Sequence, residues 1–350
     1  MTGEQVTEAI SSTLVCIDLG TTSTRVWRVS ADGRELARFQ APVGVRDTAR
    51  AGSSALLRRT LQGLIRQAAE PVAGCAAPSC VIAAGMITSS LGLLDVPHVP
   101  APAGLAELAA VTKPHVFPDV TDLPVLLVPG VRYGAAPGAG AIPVGATDIM
   151  RGEETLCVGL HHLGRAEGGV LVLNLGSHWK TIGIDAEGRI VSSVTTLSGE
   201  MMHAVHERTI LHGALPAERP EAWDPKWVDA GMREQRVSGL GRALFCVRLL
   251  QLEGRTTPQD RQAYLAGAFI AADLGLVAAA AASKHQSRML LAGNRALARA
   301  WQGALRAVSI EGVVLDEPTV EATMLAGLCA IHGKMRGNER TTEPQSFREI

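Results

Sequence analysis

Short apolar runs broken by glycine-containing turns set the pattern of the first forty residues. Residues 14–17 read as a buried strand. The turn Gly20-Thr21-Thr22-Ser23 follows, and residues 24–29 then alternate in character as a half-buried strand does. Asp32-Gly33 signals a tight turn, and residues 35–39 read as the returning strand. The same unit recurs as a buried strand at 169–173, the turn Gly176-Ser177-His178, a strand at 179–184, the turn Glu187-Gly188 and a strand at 190–195. Gly20 aligns with Gly176, and Gly33 with Gly188. Internal repetition of this kind predicts two related lobes, each opening with a β-meander.

Between the repeats, Leu56, Leu57, Leu61, Leu64 and Ile65 have helical spacing within residues 53–69. Residues 80–84 read as a buried strand ending at Gly85-Met86, and 126–128 as a further short strand. Residues 97–118 are rich in proline and alanine and predict loops with one short helix at 105–111. The glycine-rich stretch 130–145 predicts a flexible connection, either a lobe boundary or an active-site flap. Beyond the second meander the spacing predicts helices at 199–211, 237–252, 259–283, 297–307 and 319–332, with strands at 288–292 and 311–315. The expected division is an N-terminal lobe, 1–145, a C-terminal lobe, 146–335, and a polar tail, 336–350.

The chain has 350 residues, 47% of them hydrophobic, which is enough for two lobes of ordinary size. Its net charge of -1 and aromatic content of 3% argue against a basic groove lined with stacking rings, so no nucleic-acid partner is expected. Six cysteines without a C-x-x-C pair read as reduced core residues of a cytoplasmic protein. The first thirteen residues lack the basic start and apolar run of a signal peptide. Residues 265–282 are apolar, but mostly alanine and glycine around Asp273. A mid-membrane Asp costs roughly 3 kcal/mol, so a buried core helix is expected rather than a membrane span.

A glycine and hydroxyl turn after a buried strand offers backbone N–H groups to an anion. Gly20, Thr21 and Thr22 form one such turn, and Gly176 and Ser177 a second. Facing each other, the two would clamp phosphates, with Lys180 neutralising charge. Asp18 at the strand end can hold a phosphate-bound Mg²⁺, an ion that takes oxygen ligands and keeps several waters. Gly293 ends another strand, where the missing side chain would let a flat base approach the backbone. The bland alternatives are a plain hairpin turn at 20–22 and a solvated strand position for Lys180. His203, His206 and Glu207 share one helical face; a polar face is expected there rather than a metal site, for want of a further His or Cys ligand.

This combination resembles the sugar kinase, Hsp70 and actin superfamily. Within it, Met150-Arg151-Gly152-Glu153-Glu154-Thr155 looks like the M-R-G-E-E-T signature of the 2-dehydro-3-deoxygalactonokinases. The segments 84–90, 176–180, 198–200 and 291–293 are similar to the same family, in the same order. The resemblance implies an α/β, two-lobed actin-like ATPase fold with ATP·Mg²⁺ and substrate in an interlobe cleft. It implies phosphoryl transfer from ATP to the 6-hydroxyl of 2-dehydro-3-deoxy-D-galactonate, in galactonate catabolism. Arg151 would bind the substrate carboxylate through its guanidinium fork. Glu200 and Met86 would also contact substrate. Asp18, Glu153 and Glu154 are the carboxylates that would orient or deprotonate the hydroxyl. A solvated helix start is the alternative for Glu153 and Glu154, and a helix cap for Glu200. Leu19 departs from the family's usual tryptophan, and the second loop, Asn174-Leu175-Gly176-Ser177, from its usual proline before the glycine and threonine after it. A kinase for another sugar or sugar acid, and a non-kinase ATP-binding regulator, stay open, as does homodimerisation.

Overall fold

In the computed structural model, residues 11–30, 32–134, 144–218 and 220–342 are described, without the side chains of Ser11 and 338–342. Contact density separates two compact units, 1–165 with 323–350, and 166–322. The expected border at 145/146 therefore moves: residues 146–165 stay with the first unit, and the chain returns to that unit after Ala322. The flap expected within 130–145 falls largely on 135–143, outside the described residues.

The first unit begins with the expected meander of β1 (Ser11–Leu19), β2 (Thr24–Ser30) and β3 (Glu35–Ala41). Helices α1 (Val45–Ala51) and α2 (Ala55–Ala69) lead to β4 (Cys75–Gly85), which pairs parallel with β1. Next come β5 (Val99–Pro100), α3 (Leu105–Val111), β6 (Lys113–Phe117), β7 (Thr121–Leu127), β8 (Val131–Tyr133), β9 (Asp148–Met150) and α4 (Glu153–His162). The sheet order is β3-β2-β1-β4-β7-β6, and β5, β8 and β9 form a small separate sheet. β6 lies in the segment expected to loop; it is an edge strand containing Pro114, where a missing N–H costs no ladder bond. Alternation divides β1 between two faces. Val15, Ile17 and Leu19 pack with Leu57, Leu61 and Ile65 of α2, so Leu19 is a core residue. Cys16 and Asp18 point to the opposite face.

The second unit repeats the plan with β10 (Val170–Leu175), β11 (Trp179–Ile184) and β12 (Ile190–Thr196). Its helices are α5 (Ser198–Arg208), α6 (Pro225–Ser238), α7 (Leu240–Leu252) and α8 (Pro258–Ser283). They are followed by β13 (Arg288–Gly293), α9 (Arg295–Arg306) and β14 (Glu311–Leu315). The sheet order β12-β11-β10-β13-β14 matches the first five strands of the other sheet. α6 was not expected, although Asp224 caps it and Pro225 opens it. By length and composition α8 could cross a membrane, but 56% of its apolar window is buried. Its Phe269, Ile270 and Leu274 join Leu173, Trp179 and Trp301 in the core. Asp273 accepts a 2.6 Å hydrogen bond from Thr196 Oγ1 at the end of β12.

The last helix, α10 (Glu317–Thr342), extends into the expected polar tail, 336–350. It packs on α4 through glycines: a Cβ at Gly327 would lie 2.0 Å from Thr155 O, and one at Gly159 would lie 1.9 Å from Thr323 O.

Candidate active site

The strand ends position the groups in the first unit. Asp18 sits near the C-terminal end of β1, opposite Arg25 of β2 and Ala84 of β4. Its Oδ2 is 3.3 Å from Arg25 Nη2, and the Asp18 side chain is 8% exposed. Two glycines crowd its carboxylate. Gly85 ends β4 at φ 88°, where a Cβ would lie 3.3 Å from Asp18 Oδ1 and 2.5 Å from Leu19 O. Gly152, with φ 109°, precedes α4, and a Cβ there would lie 3.3 Å from Gly85 Cα and 3.9 Å from Asp18 Oδ1. The M-R-G-E-E-T block is thus folded directly against Asp18, and only glycine admits this approach.

The two glutamates after Gly152 have different surroundings. Glu153 is half-buried in the first turn of α4. Glu154 is fully buried, which removes the solvated-helix-start reading for it. Both of its carboxyl oxygens lie 2.8 Å from Gly152 N, which donates to them. Burial, reinforced by Glu153, pushes its pKa from 4.5 up to about 8. A carboxyl that keeps its proton at neutral pH is a poor base.

The Arg151 fork is already engaged. Nη1 donates to Thr88 Oγ1 at 2.9 Å, and Nη2 donates to Val96 O at 2.9 Å and Asp95 Oδ1 at 3.2 Å. Burial lowers its pKa, opposed by Asp95 and Glu154. Arg151 therefore ties down the segment after Gly85. Met86 opens the 3₁₀ turn Met86–Thr88 in that segment, and its carbonyl accepts from Ser89 Oγ at 2.7 Å.

In the Gly20–Ser23 turn, the Gly20 N–H is committed to Ser23 O at 2.9 Å. The amides of Thr21, Thr22 and Ser23 donate to no backbone carbonyl among the described residues. They, rather than Gly20 N–H, are the groups open to an anion. Gly44, missed in the sequence, packs on this turn: a Cβ there would lie 2.5 Å from Thr21 O.

The second unit has the same construction. Gly199 at the start of α5 packs on the Gly176–His178 turn, where a Cβ would lie 2.3 Å from Gly176 O and 2.7 Å from Ser177 O. Gly293 ends β13 beside Leu175, as Gly85 ends β4 beside Leu19. A Cβ at Gly293 would lie 2.7 Å from Leu175 Cβ. Both glycines follow alanine at the end of a parallel strand, a cue the sequence offered. Glu200 Oε2 is 3.2 Å from His178 Nε2, so Glu200 pairs with the turn itself. Lys180 is not a solvated strand residue: it is 3% exposed, and its ammonium donates to Thr195 Oγ1. His206, Glu207 and His212 place ligand atoms within 4.8 Å of one another, so a further His, His212, does approach His206 and Glu207, in a group that does not include His203. Both ring nitrogens of His206 are already within hydrogen-bond distance of an oxygen, Glu207 Oε1 at 2.8 Å and Pro216 O at 2.9 Å.

The profile of the 2-keto-3-deoxy-galactonokinase family matches residues 18–331. The chain belongs to this family. It is accordingly a phosphotransferase, and the family's kinase chemistry implies ATP as donor. The "Probable 2-dehydro-3-deoxygalactonokinase" of Rhizobium meliloti (strain 1021) is 30% identical over 322 residues, spanning 90% of this chain and 96% of that protein. The crystal structure of a candidate 2-dehydro-3-deoxygalactonokinase from Sinorhizobium meliloti matches with a TM-score of 0.69 at 24% identity, over 96% of this chain and 100% of that one. Component A of the Acidaminococcus fermentans (R)-2-hydroxyglutaryl-CoA dehydratase shares the fold at a TM-score of 0.50 and 14% identity, over 93% and 99% of the two chains. The fold is the mixed α/β, two-unit actin-like ATPase type.

Proposed function

We propose that this kinase transfers the γ-phosphoryl group of ATP to the 6-hydroxyl of 2-dehydro-3-deoxy-D-galactonate, a step of galactonate catabolism. The observation that carries the reading is the Asp18 carboxylate enclosed by the backbones of Gly85 and Gly152, with the family's signature block continuing directly from it. Asp18 is the carboxylate we assign to the reacting hydroxyl, with Glu153 as the second candidate. Glu154, neutral and bonded to Gly152 N, shapes the turn instead. Arg151 acts through the 86–96 segment that it fastens, with Met86 at its start.

The turn amides at Thr21 and Thr22 and the turn Gly176-Ser177 are assigned to ATP phosphates, and Gly293 to the adenosine. Lys180, held by Thr195, contributes positive charge near the second turn, and Glu200 bears on substrate through His178. Mg²⁺ would neutralise phosphate charge when bound. One carboxylate among glycines fits an ion that takes most of its ligands from water and phosphate, and Asp18 would hold it.

A coupled ADP-release assay over a panel of sugar acids tests the substrate. Turnover should be highest with 2-dehydro-3-deoxy-D-galactonate and fall about 10²-fold or more in Asp18→Asn. Faster turnover of another acid would overturn the substrate assignment, and unchanged turnover in Asp18→Asn would overturn the role of Asp18.

A further inference from the structure

The C-terminal end of α5 carries side chains that the kinase chemistry does not use. His206 and Glu207 lie in its last turn, and His212 opens the 3₁₀ turn His212–Ala214 that follows. The three place ligand atoms within 4.8 Å of one another. The 3₁₀ turn is held from two other helices: Gly213 O accepts from Gln251 Nε2 of α7 at 2.9 Å, and Ala214 O from Arg261 Nε of α8 at 2.6 Å. The hydrogen bonds then fix the ring tautomers. A carbonyl oxygen only accepts, so His206 Nε2 donates to Pro216 O at 2.9 Å, and His212 Nδ1 donates to His206 O at 3.2 Å. That leaves His206 Nδ1 and His212 Nε2 as the nitrogens that can present a lone pair. His206 Nδ1 lies 2.8 Å from Glu207 Oε1, and two lone pairs at that distance repel. Either a second ring proton or a cation must stand between them. Metal-binding histidines are oriented in this way, with the other ring N–H given to a backbone carbonyl. The hydrogen bond with His206, and the charges of His206, His203 and His212, hold the Glu207 carboxyl below its usual range, so it is anionic at neutral pH.

We propose that His206, Glu207 and His212 form a binding site for a zinc-type divalent cation. His206 binds through Nδ1, His212 through Nε2 and Glu207 through a carboxylate oxygen, with water in the fourth position. Two imidazoles and a carboxylate are a donor set that Zn²⁺ takes in tetrahedral geometry, with bonds of about 2.0–2.2 Å and ligand atoms about 3.4 Å apart. Glu207 and His212 are exposed, so small side-chain rotations close the present spread of up to 4.8 Å to that spacing. Mg²⁺ does not suit the site, because it takes oxygen ligands. Where His206 carries a second ring proton, the entering cation displaces it to solvent. The bound metal staples the end of α5 to the turn that α7 and α8 hold. Gly199, which packs on the Gly176–His178 turn, lies at the opposite end of α5. The proposal does not depend on the sugar-acid assignment.

The test titrates Zn²⁺ into the full chain, carrying no histidine tag, in competition with a chromophoric chelator. A single equivalent should bind, and His212→Ala, at an exposed position, should weaken binding at least about tenfold. Co²⁺ in place of Zn²⁺ should give visible bands without sulfur-to-cobalt charge transfer, since the donors are nitrogen and oxygen. On the wild-type chain, Zn²⁺ should protect His212 from diethyl pyrocarbonate while the exposed His162 and His285 react as before, read by peptide mass spectrometry. Absence of saturable binding, a sulfur-to-cobalt band, unchanged affinity in His212→Ala, or modification of His212 unaffected by Zn²⁺ would each overturn the proposal. The wild-type protection map decides between these outcomes even where the variant does not fold.

Discussion

Glu154 keeps its proton into neutral solution because it is fully buried beside Glu153, and the backbone amides of Glu154 and Gly152 offset that only in part. Its folded pKa of about 8 lies above the ordinary 4.5, which fixes the sign of its effect on stability. Below pH 4.5 both folded and unfolded chains hold the proton, and the contribution is fully present. As pH rises from 4.5 to about 8 the unfolded chain ionises first, so stability falls and the loss is complete above about 8. Glu154→Gln removes the titration and keeps the shape. Between pH 5 and 8 the wild type should lose roughly 5 °C or more in Tm relative to this variant, as thermal melts by circular dichroism would show. A parallel pH response in the two proteins would mean that Glu154 is ionised in the fold.

Glycine acts at the level of elements wherever two backbones meet. Where α10 crosses α4, Gly327 and Gly159 bring helix backbones close enough that a methyl group would overlap a carbonyl oxygen. Gly327→Ala should therefore cost about 3 kcal/mol or more, since the obstacle is backbone rather than a flexible side chain. Gly333 lies on the same helix with nothing within 4 Å of its Cβ position. Gly333→Ala should be neutral or stabilising by up to about 1 kcal/mol, through helix propensity alone. Urea unfolding of the pair separates the crossing from propensity. Much at this scale was legible in the chain. Both meanders were, because strand alternation and the turns at Gly33 and Gly188 are local signals; both glycines adopt positive φ, 83° and 78°. The unread parts depend on distant partners. The Arg151 fork looked free because Thr88 and Asp95 are far away in sequence. A solvated position for Lys180 stayed open because a single strand does not show that β11 is buried along its whole length.

The molecule as a whole is a duplication in which one copy is inserted into the other. Residues 166–322 form the second unit, and the first is completed only when the chain returns at Thr323. The returning helix supplies Leu325, Leu328 and Ile331, all buried, besides the glycine crossing. Three buried aliphatic side chains are worth roughly 1.5–3 kcal/mol each, or about 5–9 kcal/mol together. That is comparable with the whole net stability of an ordinary domain, about 5–15 kcal/mol. Sequence order therefore misleads about cohesion: the last helix belongs with the first strand. A chain ended after Ala322 should lose the cooperative unfolding of the first unit, with amide hydrogens of β1 and β4 exchanging rapidly. The β10, β11 and β13 amides should stay protected, since their core residues all lie within 166–322. Hydrogen exchange resolved by peptide reads both outcomes in one experiment. Protection of β1 equal to that in the full chain would show that the first unit closes without α10, and loss of protection in both sheets would show that the two units unfold as one.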